Sequence, residues 1–352
     1  MLLYLIVVLL PLLACYGYQT LPSQQKNTVE RNKLLLWTLF LSFLLVAIRG
    51  NEMGPDTLGY WESFSRFSAM SWIDAFEDTR MEMGFVVFTK LIGYVTSSPE
   101  VFQVICTTIY FICFYQFAKS FEGDVPFYFL FFFISLGEYF FFFTGIRQCL
   151  AISLVLLSYR FVIERKLVWF LAIIALAYTI HHSVLLFLVA YPMANMKVNF
   201  FNMACYLVVL LAATTYLEAA QSFLNEQLEY NYEIEKTDNG GIFLVLISIL
   251  TYFSYVTLYK GVKKNKFMGL LFNLNIVTLF FWVLRLQTRV AERPSFYFLP
   301  FSCMLFAYMV KNTRDQLIKW GLILVPLVYY LYRLTSTFKM YLPYKSFFSN
   351  LL

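Results

Sequence analysis

Apolar runs recur along this chain so densely that no water-soluble core could absorb them. They fall near residues 1–18, 33–48, 101–118, 125–142, 145–162, 166–180, 183–195, 199–217, 242–259, 267–285, 295–310 and 318–334. A helix needs about 20 apolar residues to cross roughly 30 Å of hydrocarbon, and most of these runs approach that length or are bounded by strong punctuation. Inside lipid every backbone amide must be bonded within its own segment, which a helix achieves alone. The expected fold is therefore all-α, a polytopic integral membrane protein of about twelve transmembrane helices in a single domain spanning 1–352. Composition agrees: 60% of the 352 residues are hydrophobic and 14% charged, where soluble domains hold roughly 45–50% apolar residues.

Charge orients the helices. With the N-terminus outside, the cytoplasmic loops are strongly basic, led by Lys260, Lys263, Lys264 and Lys266, while the external loops are net acidic, as the positive-inside rule predicts. Residues 83–97 are apolar but brief, carry Lys90 and end in Ser97-Ser98-Pro99-Glu100. They are expected to form an amphipathic surface helix within an external loop spanning 49–100; a crossing there would place the lysine cluster outside. A second external acidic loop is expected over 218–241. Leu12-Leu13-Ala14-Cys15 resembles a lipoprotein cleavage box, but no Lys or Arg precedes it, so 1–18 is expected to remain as a spanning helix. The six cysteines lie in apolar runs without CxxC spacing and are expected to pack as small hydrophobes.

Against this background the ionisable residues at helix ends stand out, because charge at membrane depth either snorkels to water or belongs to a working site. Arg49 and Asp56 follow directly on the run ending at Ile48, with Gly54-Pro55 between them. Asp56 is a candidate catalytic carboxylate, and Arg49 would keep it ionised if the two approached. Asp74, Glu77 and Asp78 are expected to be solvated loop charges, and Glu82 to favour the N-terminal dipole of the short helix it heads. Arg147 and Gln148 lie at the outer end of an apolar helix, where snorkelling to water accounts for an Arg. His181 and His182, the only histidines, sit between two apolar runs. A general base, a phosphate contact and a water-facing turn all fit them, and metal binding finds no further ligands. Arg285, Arg289 and Arg293 recur every four residues, predicting a basic stripe on one helix that calls for an anion.

Taken in order, several of these residues form a motif series. Arg49-x4-Gly54-x-Asp56-x3-Tyr60, then Arg147-Gln148-Cys149-Leu150-Ala151, His181, Arg293-Pro294-Ser295-Phe296-Tyr297 and Tyr341-Leu342-Pro343-Tyr344 together resemble the EpsG family, Wzy-like membrane proteins of bacterial exopolysaccharide assembly. The resemblance implies polymerisation or transfer of polyprenyl-pyrophosphate-linked sugars at the outer face of the bacterial cytoplasmic membrane. Asp56 and His181 are then the catalytic candidates, and Arg49, Tyr60, Glu82, Arg147, Gln148, Arg285, Arg289 and Arg293 the candidates for phosphate or glycan binding. The partners implied are the lipid-linked oligosaccharide, membrane lipids and other polysaccharide assembly proteins, with no nucleic acid. An acidic first loop followed by a surface helix also resembles the glycosyltransferase C architecture. No DxD motif is present, so no cofactor is expected, although a divalent cation is compatible with external carboxylates. The competing readings are a flippase for lipid-linked oligosaccharides, which would distribute charge through the bundle, and a membrane O-acyltransferase resting on one histidine.

Overall fold

The computed structural model describes residues 1–77, 81–228 and 240–350. In chain order the helices are α1 (Leu2–Thr20), α2 (Thr28–Ala47), α3 (Thr57–Ala69), α4 (Trp72–Glu77), α5 (Met83–Gly93), α6 (Pro99–Lys119), α7 (Val125–Ser135), α8 (Glu138–Phe141), α9 (Ile146–Ile163) and α10 (Leu167–Ile180). A 3-10 stretch, His182–Val189, leads to α11 (Ala190–Met193), α12 (Phe200–Leu228), α13 (Gly240–Lys264), α14 (Lys266–Leu284), α15 (Glu292–Ser295), α16 (Leu299–Asn312) and α17 (Gln316–Thr335). The described residues contain no strand, only one isolated bridge between Arg49 and Ser346. They fall into two compact units, the first Met1–Leu188 with Gln316–Leu352 and the second Val189–Asp315.

Among the described residues six helices, α1, α6, α9, α13, α14 and α17, are long and apolar enough to cross a membrane. Several other expected spans are shorter or interrupted, each for a local reason. The 125–142 run breaks at Gly137, whose φ of 92° takes the chain out of α7 and starts α8, a left-handed conformation that favours glycine. The 183–195 run winds mostly as 3-10 turns, and α2 opens with Glu30, Arg31 and Lys33 before its apolar stretch. Beyond Glu218 the chain stays helical to Leu228, so this part of the expected acidic loop is helix, in keeping with its Ala, Gln, Leu and Glu content. Residues 229–239 and Asp78 lie outside the described residues.

Within the first unit, loops from alternate helix ends gather at opposite poles. At one pole Arg31 of α2 is buried and donates to the carbonyls of Lys119 and Phe121, closing the C-terminal end of α6, while Gln19 bonds Asp124 at 2.6 Å. These are the loops the charge pattern assigned to one side. At the other pole lie 48–98, 136–146, His181 and the tail after α17. The tail is stitched in by backbone bonds from Gly50 to Lys345 at 2.9 Å and from Phe347 to Ile48 at 3.1 Å, and Tyr344 donates to the carbonyl of Leu45 at 2.8 Å. Tyr4 of α1 donates to the carbonyl of Tyr341, so the Tyr341–Tyr344 segment anchors the tail against two helices.

Helix α5 does not cross the bundle. Its 11 residues reach only about 16 Å at 1.5 Å per residue. Glu82 before it, and Gln103 in the second turn of α6, which donates to the carbonyl of Arg49 at 2.8 Å, both belong to the same pole. Its buried face, Phe85, Val86, Thr89, Lys90 and Ile92, packs on α3 and α10, leaving Met83 and Leu91 exposed. Lys90 is put to structural use: its ammonium donates to the carbonyls of Phe67 at 3.0 Å and Met70 at 2.5 Å, capping the C-terminal end of α3 where cations are favoured.

Candidate functional site

Glu82 is the hub of the second pole. It is the N-cap of α5 with extended backbone, only 6% exposed. A buried carboxylate must be paired to be tolerated, and both its oxygens are used. Oε1 lies 3.0 Å from His181 Nδ1 and accepts the backbone N–H of His182 at 3.3 Å, while Oε2 receives Arg147 Nη1. Burial alone would raise its pKa; the His181 hydrogen bond and the Arg147 charge outweigh that and hold it at about 2, from the usual 4.5. Glu82 is therefore an anion at neutral pH, and an anion there fixes the proton of neutral His181 on Nδ1, leaving Nε2 as a lone-pair acceptor.

The neighbours set the rest of the geometry. Arg147 sits in the first turn of α9, its side chain a quarter exposed, and its Nε is 3.5 Å from the hydroxyl of Tyr60. Its Nη2 makes no hydrogen bond among the described residues and remains available to an anion. Tyr60 is buried on α3, and burial raises its pKa, so it stays a neutral phenol. His182 stacks on Tyr178 with ring centroids 4.5 Å apart, leaving His181 as the histidine that faces Glu82. The approach of α5 to α10 depends on Gly84, where a Cβ would stand 2.2 Å from Thr179 Oγ1 and 2.7 Å from its carbonyl oxygen.

Asp56 adjoins this centre from the other side of Tyr60. It is half-buried at the N-terminal end of α3; Thr144 Oγ1 donates to its Oδ2 at 3.1 Å and accepts its backbone N–H at 3.2 Å. The turn before it is shaped by Gly54, with φ of 99° and a Cα hydrogen pointing at the carbonyl of Phe143, 2.6 Å from where a Cβ would be. Thr57 does not cap α3; its hydroxyl donates to the carbonyls of Met53 and Phe143. Arg49 and Asp56 do not pair. Arg49 is fully buried, donates from Nη1 to the carbonyl of Val46 at 2.5 Å, and has its pKa pulled down by that burial. It braces the end of α2 and is out of reach of a substrate. Gln148 is likewise buried.

The expected arginine stripe is not one helix face. Helix α14 ends at Leu284, and Arg285 caps it; Arg289 lies in a 3-10 turn and Arg293 in the four-residue α15. Pro294 and the Thr288 break explain this, since neither suits continuation of a helix already ending. Arg285 is buried and paired to Glu292 at 3.1 Å, whereas Arg289 and Arg293 are exposed. All three belong to the second unit.

Two contributors escaped the sequence reading. Among the described residues Thr144 is the partner of the Asp56 carboxylate, and as an uncharged hydroxyl in an apolar run it carries no sequence signal. Gln103 is buried in α6, bonded to Trp61 Nε1 at 3.0 Å and to the carbonyls of Ala47 and Arg49; a glutamine inside an apolar span was the signal that could have found it. Among the described residues no group of three or more His, Cys, Asp or Glu side chains is arranged to hold a metal.

The sequence model of the EpsG family matches residues 33–346. The chain belongs to the EpsG family. The matched region contains Glu82, Arg147, His181 and Asp56, and membership places the chain among membrane proteins related to polysaccharide biosynthesis. No curated protein and no solved structure matches this EpsG-family chain.

Proposed function

We propose that this EpsG-family protein catalyses glycosyl transfer from a polyprenyl-pyrophosphate-linked sugar to the hydroxyl of a growing glycan, at the outer face of the bacterial cytoplasmic membrane. The observation that carries the reading is the Glu82–His181 pair with Arg147 beside it at one pole of an apolar bundle. A carboxylate that locks an imidazole tautomer makes a general base of its far nitrogen. In this reaction the acceptor oxygen bonds to the anomeric carbon while the bond from that carbon to the pyrophosphate oxygen breaks. His181 Nε2 takes the hydroxyl proton, and the leaving pyrophosphate departs as an anion toward Arg147 Nη2. Asp56, tied to Thr144, supplies a second carboxylate that orients acceptor hydroxyls.

The outward position is supported by the charge pattern of the sequence, in which the loops expected outside are net acidic while Lys260, Lys263, Lys264 and Lys266 gather in one expected cytoplasmic loop. Two measurements test the reading. Single cysteines at 52 and 263 in a cysteine-free chain should be labelled by an impermeant thiol reagent on intact cells only at 52. In membranes supplied with lipid-linked repeat units, His181→Ala should leave the lipid-linked substrate unpolymerised at normal protein level. Normal polymer from His181→Ala would reject the catalytic role.

A further inference from the structure

A groove of about 550 Å³ opens beside α3, on the same pole as Glu82. Its walls are three aromatic side chains, Trp61, Phe347 and Phe348, two valines, Val101 and Val104, and three polar residues, Asn51, Ser98 and Glu100. Resting on the glycosyl-transfer reading above, we propose that this groove is a subsite for an uncharged sugar ring of the glycan, with Trp61 as the stacking surface.

The chemistry selects the ligand class. A pyranose ring presents C–H groups on its faces and hydroxyls on its rim, so it is held by an aromatic plane together with carboxylate and amide acceptors at the edge. Glu100 disfavours phosphate: an anion brought beside a carboxylate meets like charge in a partly desolvated site. One oxygen of Glu100 accepts the Ser98 hydroxyl at 2.5 Å, which holds the carboxylate and leaves its other oxygen for hydroxyl donors. A lipid chain alone would not use the three polar groups.

The platform is also pre-set. Trp61 Nε1 donates to Gln103, and Gln103 is fully buried and anchored to two carbonyls of the α2 end. The indole is thus oriented before any ligand arrives, which lowers the ordering cost of binding. Phe347 and Phe348, with ring centroids 4.4 Å apart, come from the tail that the Ile48 and Gly50 backbone bonds fix in place.

Position ties the groove to the reaction. Trp61 follows Tyr60, the residue that touches Arg147, and successive residues on a helix are turned by about 100°. The groove and the Arg147 centre therefore occupy neighbouring faces of α3. A glycan whose reacting hydroxyl reaches His181 can lay a more distant sugar on Trp61, so the groove would hold the acceptor chain and set how far it grows before release.

The test uses the full chain in nanodiscs and, as probe, the neutral oligosaccharide released by partial hydrolysis from the polymer of the encoding strain, with binding followed by saturation-transfer NMR and calorimetry. Trp61→Ala is expected to weaken binding at least tenfold, Glu100→Gln and Phe348→Ala severalfold, and Trp61→Phe less than Trp61→Ala. Inorganic pyrophosphate should not compete. Asp74→Asn should bind like the wild type, and polymer formed by His181→Ala would overturn catalysis while leaving the groove to be judged on binding, which separates this inference from the catalytic reading. Wild-type binding that survives Trp61→Ala and Glu100→Gln, absence of binding to the wild type, or displacement by pyrophosphate would each overturn the subsite. Because Phe348 is half exposed and Glu100→Gln preserves shape, those variants keep the test valid if Trp61→Ala fails to fold.

Discussion

Glu82 and His181 are joined by a 3.0 Å contact across 99 residues of sequence, and the carboxylate that makes it also holds Arg147. Replacing Glu82 by Gln keeps the size of the side chain but removes the charge that fixes the His181 proton on Nδ1. Polymer formation is expected to fall roughly a hundredfold, the usual scale of a lost general base. Glu82→Asp should retain more activity than Glu82→Gln. Polymer yield at matched membrane levels decides between them; equal, near-normal yields would remove the pair from the mechanism.

The same carboxylate links stability to pH. Its folded-state pKa is held at about 2, below the usual 4.5, so its contribution is complete above the unfolded value. It is lost as pH falls from about 5 toward 2, by a few kcal/mol at most. In detergent, the wild-type melting temperature should drop over that window, and Glu82→Gln should start lower and drop less. Parallel curves would show that the pairing does not stabilise the fold.

Asp56 and Asp74 should behave differently. Asp56 is half-buried and held by Thr144. Asp74 is exposed in the first turn of α4 and, among the described residues, bonds Ser71. Asp56→Asn is expected to accumulate lipid-linked repeat units with at least a tenfold loss of polymer, and Asp74→Asn to remain near normal. Thr144→Val should reproduce part of the Asp56 defect. Equal activity in both aspartate variants would assign Asp56 to loop solvation.

The three arginines of the second unit separate by environment. Arg285, buried against Glu292, should lower thermal stability when changed to Lys, because an ammonium cannot reproduce its planar fork. Arg289→Lys and Arg293→Lys, at exposed positions, should reduce polymer yield severalfold. Normal yield from both would take these residues out of anion binding.

Gly84 sets the distance between α5 and α10. Gly84→Ala pushes a methyl group into the Thr179 backbone and draws Glu82 away from His181. A loss of polymer like that of Glu82→Gln is expected, together with a lowered melting temperature. An unchanged melting temperature would mean that α5 shifts freely, and the spacing argument would fail.

Much of this was legible residue by residue and little of it as geometry. Apolar length announced an all-helical membrane protein, and the short, Pro-terminated 83–97 segment announced a helix that does not cross. Arg147, Glu82 and His181 each stood out as charge or imidazole at an apolar boundary, yet nothing in one sequence tells that residues separated by 65 and 99 positions meet. Arg49 misled because its neighbour Asp56 suggested a local pair, whereas the intervening Gly54 turn sends them apart. The arginine stripe misled because periodicity was carried past Leu284, where the helix had already ended. Run length misled in the same way at Gly137, since hydropathy is blind to a single left-handed residue.

The interleaving of the first unit gives its parts different birth dates. Glu82, Arg147 and His181 all emerge from the ribosome before the second unit begins, so the proton-handling centre can assemble early. Tyr344 reaches Leu45, 299 positions before it in the chain, and Phe347 and Phe348 follow it. A nascent chain inserted as far as α16 would therefore own its chemistry without the wall of the groove. Biogenesis thereby completes the proposed glycan seat only after α17 has been threaded, and fragments that stop at α16 are expected to hold glycan poorly.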